Sequence, residues 1–257
     1  CQLFSEPEAG SDLAALRPSA RRDDERGGWV VTGQKVWTTM AHLAQFGLLL
    51  ARTDPEAPKH DGITAMVLDM ASPGAEIRPL RELTGAELFN EVFLTEVFVP
   101  DDAVIGVPGQ GWEAARTTLG NERVSMASGS SFGPGLELLL SGAGDEARAD
   151  HAEELGRLVA DGHAVAMLGL RGVLAALEGA RPGASSSVRK LVATEHEQRI
   201  QEVGLALCGP AGAIDAGDAA PFIAGFLGTR ALSIAGGTSD IQRNIVAERL
   251  LDLPKDP

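Results

Sequence analysis

The stretch Ile234-Ala-Gly-Gly-Thr-Ser-Asp-Ile-Gln-Arg-Asn-Ile-Val-Ala-Glu-Arg249 is the most informative part of this chain. It contains a Gly-Thr turn, and Gly236, just before that turn, has no side chain and can accept no proton. The stretch lies in a long alanine- and leucine-rich region that begins after Pro108-Gly-Gln-Gly111. This region predicts helices that continue to the C-terminus.

The first hundred or so residues predict β structure instead. Short apolar and β-branched runs are separated by loops rich in proline and glycine, a spacing that suggests a sheet or small barrel. The chain is therefore predicted to have an α+β fold. A middle β domain is expected over residues 1–104, followed by a C-terminal helical bundle over residues 105–257. The four predicted strands are Gly28–Gly33, Phe46–Ala51, Ile63–Asp69 and Val92–Val99.

Composition and charge exclude several classes of function. The 257 residues carry a formal net charge of −14, which argues against a nucleic-acid binder, since such a protein needs a basic face. Five scattered histidines show no metal-ligand spacing, so no metal site is expected. Gly129-Ser-Ser-Phe-Gly133 fits the pattern of a hydrolase nucleophile, but the preceding residues predict a helix and not the strand that such an elbow needs.

The setting of the protein is expected to be the cytoplasm. Two cysteines, Cys1 and Cys208, provide no disulfide framework. No apolar run approaches the roughly 18 residues of a bilayer span, so no membrane span is expected. The chain begins at Cys1 and not at a methionine, which suggests a fragment or a processed product.

One predicted helix carries an acidic side chain on an otherwise apolar face. Trp112, Ala115, Leu119, Glu122 and Met126 are spaced by three and four residues, so they share one side of the helix. A glutamate on a buried stripe is unusual, because an unpaired buried charge is costly. On periodicity alone, the favoured interpretation is that Glu122 lies at the edge of the stripe and reaches water.

Three segments together resemble the acyl-CoA dehydrogenase family of flavoproteins. Phe4-Ser-Glu-Pro-Glu-Ala-Gly-Ser-Asp12 is similar to that family's Thr-Glu-Pro-x-Ala-Gly-Ser-Asp motif, and Gly33-Gln-Lys-Val-Trp-Thr-Thr39 to its Gly-x-Lys-x-Trp-x-Thr strand. The stretch at residues 234–249 resembles its C-terminal signature. The resemblance covers nearly the whole chain, and the family's N-terminal helical domain has no counterpart before Cys1.

The resemblance implies FAD as the cofactor and names its contacts. Ser5 is implied to contact the flavin, and Ser11 to lie near the flavin or the CoA ester. Trp37 is implied to pack against the flavin ring, and Thr39 to form a hydrogen bond near its N5 atom. In the C-terminal signature, the positions of Thr238 and Asp240 touch FAD, although Asp240 replaces a common glutamine.

The resemblance also raises the question of the catalytic base. One branch of the family places a glutamate where this chain has Gly236, whereas other branches place it on a helix, immediately before an arginine. Gly120-Asn-Glu-Arg-Val124 resembles that second place, with Glu122 as the base and Arg123 as the arginine. The implied reaction is α,β-dehydrogenation of an acyl-CoA thioester. An electron-transfer flavoprotein or similar acceptor and a homo- or hetero-oligomeric assembly are also implied. A non-catalytic subunit of a hetero-oligomeric dehydrogenase is the alternative.

Overall fold

The N-terminal part of the protein is built on an eight-stranded sheet. In this computed structural model the described residues are 1–125, 133–142, 144, 149–180 and 183–255, and for 122–125 only the backbone is described. The strands lie in the order β6-β7-β3-β2-β4-β5-β8, with β1 paired to β4. Their bounds are β1 Gln2–Leu3, β2 Ser19–Asp23, β3 Gly28–Thr39, β4 Phe46–Arg52, β5 Ile63–Asp69, β6 Ala75–Leu80, β7 Phe89–Pro100 and β8 Val104–Ile105.

In β7, buried residues such as Val92 and Leu94 alternate with more exposed ones, as in a strand that covers a core with one face. In β4 the consecutive residues Leu49, Leu50 and Ala51 are all completely buried, so both faces of the sheet are covered there.

Strands β3 and β7 pair antiparallel over their length, with Trp29 opposite Val99. Strands β4 and β5 pair antiparallel, with Leu49 opposite Met66. All four predicted strands lie within β3, β4, β5 and β7, so the β part of the predicted fold is confirmed. The core contains Leu3, Val31, Leu49, Met66, Leu68, Val92, Leu94, Val97 and Val99.

The second half of the chain is helical, as predicted. Residue contacts divide the chain into two compact units, Cys1–Thr118 and Leu119–Pro257. The core of the second unit contains Leu136, Leu139, Leu155, Leu158, Ile200, Val203 and Phe222. The helices are α1 Gly111–Ser125, α2 Gly133–Gly142, α3 Ala152–Leu177, α4 Ser185–Leu207, α5 Ala220–Thr229 and α6 Ser239–Leu250.

Helix α1 follows the predicted apolar stripe where its side chains are described. Ala115 is completely buried, and Trp112 and Leu119 are half-buried. The rings of Trp112 and His60 lie 4.9 Å apart. The side chains of Glu122 and Arg123 lie outside the described residues, as do Met126 and most of the Gly129–Gly133 segment.

Helix α3 differs from the expectation that no segment is long and apolar enough to cross a membrane. It has 26 residues, and by length and composition alone it meets that criterion. However, it packs against α2 and α4 through buried residues that include Leu155, Leu158 and Gly162. A long helix of a soluble bundle has these same properties, so α3 is weak evidence for a membrane span.

Candidate functional site

A β-bulge near the end of β3 determines where Trp37 points. Lys35 pairs with Val92 and Thr38 with Asn90, so β3 has one residue more than β7 between these two pairs. Trp37, inside the bulge, has a φ of 59°. Left-handed backbone is rare for a bulky residue, costs about 1–3 kcal/mol and concentrates at functional sites.

The bulge leaves an aromatic side chain on the surface. Trp37 is 61% exposed, and its ring contacts that of Phe89 edge-to-face, with the ring centroids 6.0 Å apart. Thr38 is buried, and Thr39 is again exposed. Trp37 and Thr39 therefore offer an open apolar plane and a hydroxyl at the same end of the strand.

Asn90 holds this end of β3 in place. Its buried amide Nδ2 donates to the Thr38 carbonyl at 3.0 Å and to the Leu88 carbonyl at 3.3 Å. Its Oδ1 lies 3.1 Å from His42 Nδ1. Since Thr38 and His42 are about fifty residues away in the sequence, this one side chain connects the end of β3 to the start of β7.

The Ser5 loop, residues 4–12, is fastened to β3 beside the bulge. The Val36 backbone N–H donates to the Ser5 carbonyl at 2.9 Å. The Lys35 ammonium donates to the Phe4 carbonyl at 3.1 Å and to Glu6 Oε1 at 2.7 Å. Ser5 is therefore held next to the residue that precedes Trp37, whereas Ser11 is exposed farther along the same loop.

Lys35 is a fully buried cation whose charge is met by Glu6. Burial lowers the pKa of Lys35 to about 8, and the nearby Glu6 carboxylate opposes that shift. The other Glu6 oxygen accepts a hydrogen bond from the Arg17 backbone N–H at 2.9 Å. Such a pair needs further hydrogen bonds to offset its loss of hydration, and here each of its members has a second partner in the backbone.

In the helical unit, a double-glycine turn leads into α6. Gly236 and Gly237 have φ values of 64° and 95°, a backbone conformation that side chains disfavour. The Lys190 ammonium donates to the Gly237 carbonyl at 2.9 Å. Gln242, completely buried, donates through Nε2 to the carbonyls of Gly236 and Gly237 at 2.9 and 3.2 Å. Gly236 is thus part of a fixed turn that a glutamate would strain.

Thr238 and Asp240 occupy the start of α6. Thr238 caps the helix, and its Oγ1 accepts a hydrogen bond from the Ile241 N–H at 3.2 Å. Asp240 is exposed and pairs with Arg243 at 3.0 Å, and Arg243 also approaches Glu195 at 3.4 Å. An anionic ligand would be repelled by the Asp240 carboxylate, so this residue suits a ligand that donates hydrogen bonds.

The structure therefore groups the predicted site residues within each unit. Ser5, Trp37 and Thr39 lie at one end of β3, and Thr238 and Asp240 lie at the start of α6. The sequence analysis assigned no role to the residues that hold these groups. Three of them, Glu6, Lys35 and Gln242, lie inside the quoted segments, and Lys35 was also marked as a charged residue in an apolar strand. Asn90 and Lys190 lie outside those segments.

Sequence relatives match nearly the whole of this chain. A relative from Mycobacterium tuberculosis, "Acyl-CoA dehydrogenase FadE34", is 52% identical over 256 residues, which cover 99% of this chain and 35% of the relative. The chain thus spans about a third of that protein's length.

Two solved structures share the fold. One is described as "Tcur3481-Tcur3483 steroid ACAD", with a TM-score of 0.87 and 26% identity; the match covers 99% of this chain and 68% of that one. The other is the ChsE4-ChsE5 complex from Mycobacterium tuberculosis, with a TM-score of 0.85 and 25% identity, covering 99% and 69%.

Family models match both units. The model of the acyl-CoA dehydrogenase middle domain matches residues 1–97, and that of the acyl-CoA dehydrogenase C-terminal domain matches residues 109–251. The second match alone covers more than half of the sequence. This chain belongs to the acyl-CoA dehydrogenase family.

Proposed function

We propose that the protein containing this chain carries out FAD-dependent α,β-dehydrogenation of an acyl-CoA thioester. The observation that carries this proposal is the strained, exposed Trp37 on its bulge, with the Ser5 loop fastened beside it. Backbone strain that the surrounding structure maintains at a surface aromatic is a reason to expect a ligand there. Family membership indicates which ligand.

The residues at the end of β3 fit the flavin of FAD. Trp37 offers a flat apolar face, and the hydroxyls of Ser5 and Thr39 offer hydrogen bonds to the polar edge of a heterocycle. Bound FAD supplies the acceptor for the β-hydrogen, which leaves the substrate as hydride. The tasks of this chain are to orient the thioester and to remove its α-proton.

Glu122 is proposed as the base that takes the α-proton, with Arg123 following it on α1. This assignment is supported by the apolar stripe of α1, in which the half-buried Leu119 and the buried Ala115 lie one and two turns before Glu122. Gly236 offers no carboxylate, and its left-handed backbone disfavours one. The proton-accepting task therefore falls to another residue, and a carboxylate among apolar neighbours suits it.

The experiment uses the complete gene product that contains this sequence. The purified protein is examined for the flavin absorption spectrum and mixed anaerobically with a panel of acyl-CoA esters. The panel includes steroid-bearing esters, because one similar structure carries that description. We expect flavin bleaching, and Glu122→Gln should slow it by roughly 10²–10⁴-fold, the usual contribution of a general base.

Glu113→Gln is the matched control, since Glu113 is an exposed glutamate on the same helix. It should bleach at the wild-type rate. Undiminished bleaching in Glu122→Gln would remove Glu122 from the mechanism, whatever the substrate.

The absence of a carboxylate at Gly236 also favours a second candidate, a non-catalytic subunit that assembles with an active partner. A complete protein that binds no flavin alone, but co-purifies with a flavin-containing dehydrogenase, would support it. For the catalytic protein, we propose an electron-transfer flavoprotein or similar acceptor and an oligomeric assembly.

A further inference from the structure

The buried pair of Lys35 and Glu6 connects the two parts of the β3 site. Lys35 lies on β3, and its side chain is among the largest that are fully buried. Glu6 is also buried, and the two residues are 29 positions apart in the sequence. Their contact therefore fixes how the Ser5 loop lies against β3.

The Lys35–Glu6 pair holds the N-terminal end of the Ser5 loop, around Ser5 itself. Lys35 reaches both sides of Ser5, since it donates to the Phe4 carbonyl and to the Glu6 carboxylate. Glu6 and Ala9 exchange two backbone hydrogen bonds at 3.1 and 3.2 Å, which close a tight turn directly after Ser5. The chain that follows is held at two further points, because the Arg17 backbone N–H donates to the other Glu6 oxygen at 2.9 Å and Arg52 donates to the Ala14 carbonyl at 2.8 Å.

Replacing a buried ion pair by apolar residues of the same size is often neutral or stabilising, so net stability is a poor explanation of such a pair and the geometry that it holds is a better one. Here the geometry is that of Ser5, next to the strained backbone of Trp37. We propose that Lys35 and Glu6 are positioning residues that present Ser5 to the flavin beside Trp37. This inference rests on the proposed use of FAD.

The test compares flavin affinity with stability in the complete gene product, after the flavin has been removed and added back. In Lys35→Met, Glu6 is left as a buried carboxylate without its cation, so the melting temperature should fall. The FAD dissociation constant should rise roughly tenfold or more. In Lys35→Met/Glu6→Gln the unpaired charge is gone, so the melting temperature should recover while the dissociation constant stays raised.

Lys59→Met is the matched control, because it breaks an exposed ion pair between Lys59 and Asp12 of the same loop, at 2.6 Å. It should leave the FAD dissociation constant within about twofold of the wild type and the melting temperature within about one degree, since exposed pairs contribute little.

Ser5→Ala tests the link to the flavin itself. It should weaken FAD binding in the wild-type background and add no further loss in Lys35→Met/Glu6→Gln, because Ser5 is no longer presented there. Equal losses in both backgrounds would overturn the inference. Flavin affinity that recovers together with the melting temperature would also overturn it, since the pair would then be purely structural. A wild-type protein that binds no FAD overturns the proposed function first, and this inference with it.

Discussion

At the scale of single residues, the site depends on buried polar side chains that hold its backbone in place. Asn90 is completely buried and satisfies backbone carbonyls on both sides of the β3–β7 pairing. A buried amide without hydrogen-bond partners destabilises the folded state, and so do buried carbonyls that have lost their donor. Asn90 therefore belongs to the support of Trp37 although no sequence motif includes it.

Asn90→Ala should lower the free energy of unfolding by about 1–3 kcal/mol, because it leaves the buried Thr38 carbonyl without its side-chain donor. It should also relax the bulge, which a shift of the Trp37 fluorescence would report in a Trp29→Phe/Trp112→Phe background. Asn244→Ala, at an exposed position of α6, is the control and should change neither quantity. Unchanged Trp37 emission in Asn90→Ala would show that the bulge holds without this side chain.

At the scale of helices, α3 and α4 meet around a buried histidine. His196 of α4 lies against Gly162 of α3, where an added Cβ would come within 3.1 Å of its Nε2. Neither ring nitrogen has a hydrogen-bond partner among the described residues. Burial lowers the pKa of His196, and the negative charges of Asp161 and Glu197 partly oppose that shift.

This histidine should make the protein less stable in mild acid. Because its pKa is lower in the folded chain than in the unfolded one, the unfolded state binds the extra proton first. The stability that the neutral ring contributes is present above about pH 6.5, the usual pKa, and is lost as the pH falls through the folded pKa. Denaturant unfolding at pH 7.5 and 5.5 should show a smaller pH dependence in His196→Leu than in the wild type.

His163→Leu is the comparison for that series, because His163 is exposed on the neighbouring helix. It should keep the wild-type pH dependence. An equal pH dependence in His196→Leu and His163→Leu would assign the acid sensitivity to other groups.

At the scale of the whole molecule, α3 leaves an apolar face uncovered within the described residues. Five large apolar side chains follow each other at helical spacing on one side of α3, and each is more than two-fifths exposed. Patches of this kind in a highly charged chain commonly mark contact with another protein surface. The five side chains of this face are Met167, Leu170, Val173, Leu174 and Leu177.

We expect the complete protein to be oligomeric, and Leu170→Glu to reduce its mass in solution. A charge in a buried contact is costly, so the assembly should dissociate while the helix content stays unchanged. Light scattering after size-exclusion chromatography measures the mass, and circular dichroism checks the fold. Ala176→Glu adds the same charge at an exposed position outside this set and should leave the mass unchanged. A wild-type monomer would contradict the prediction.

The sequence by itself determined the order of the two units, the four main strands and the family. These features depend on local periodicity and on short motifs, which can be read along the chain. It also indicated Ser5, Trp37 and Thr39, because each lies inside such a motif. Whether Glu122 acts as the base stays a prediction, since its side chain lies outside the described residues.

Only the tertiary structure decided how those residues are held. Lys35 and Glu6, or Asn90 and Thr38, come together because distant segments fold against each other, and periodicity carries no information about such pairs. The left-handed backbone of Trp37 is likewise maintained by its neighbours against its own preference. Gly236 shows both levels at once. The sequence showed that it bears no carboxylate, whereas the structure showed that its left-handed backbone favours a glycine.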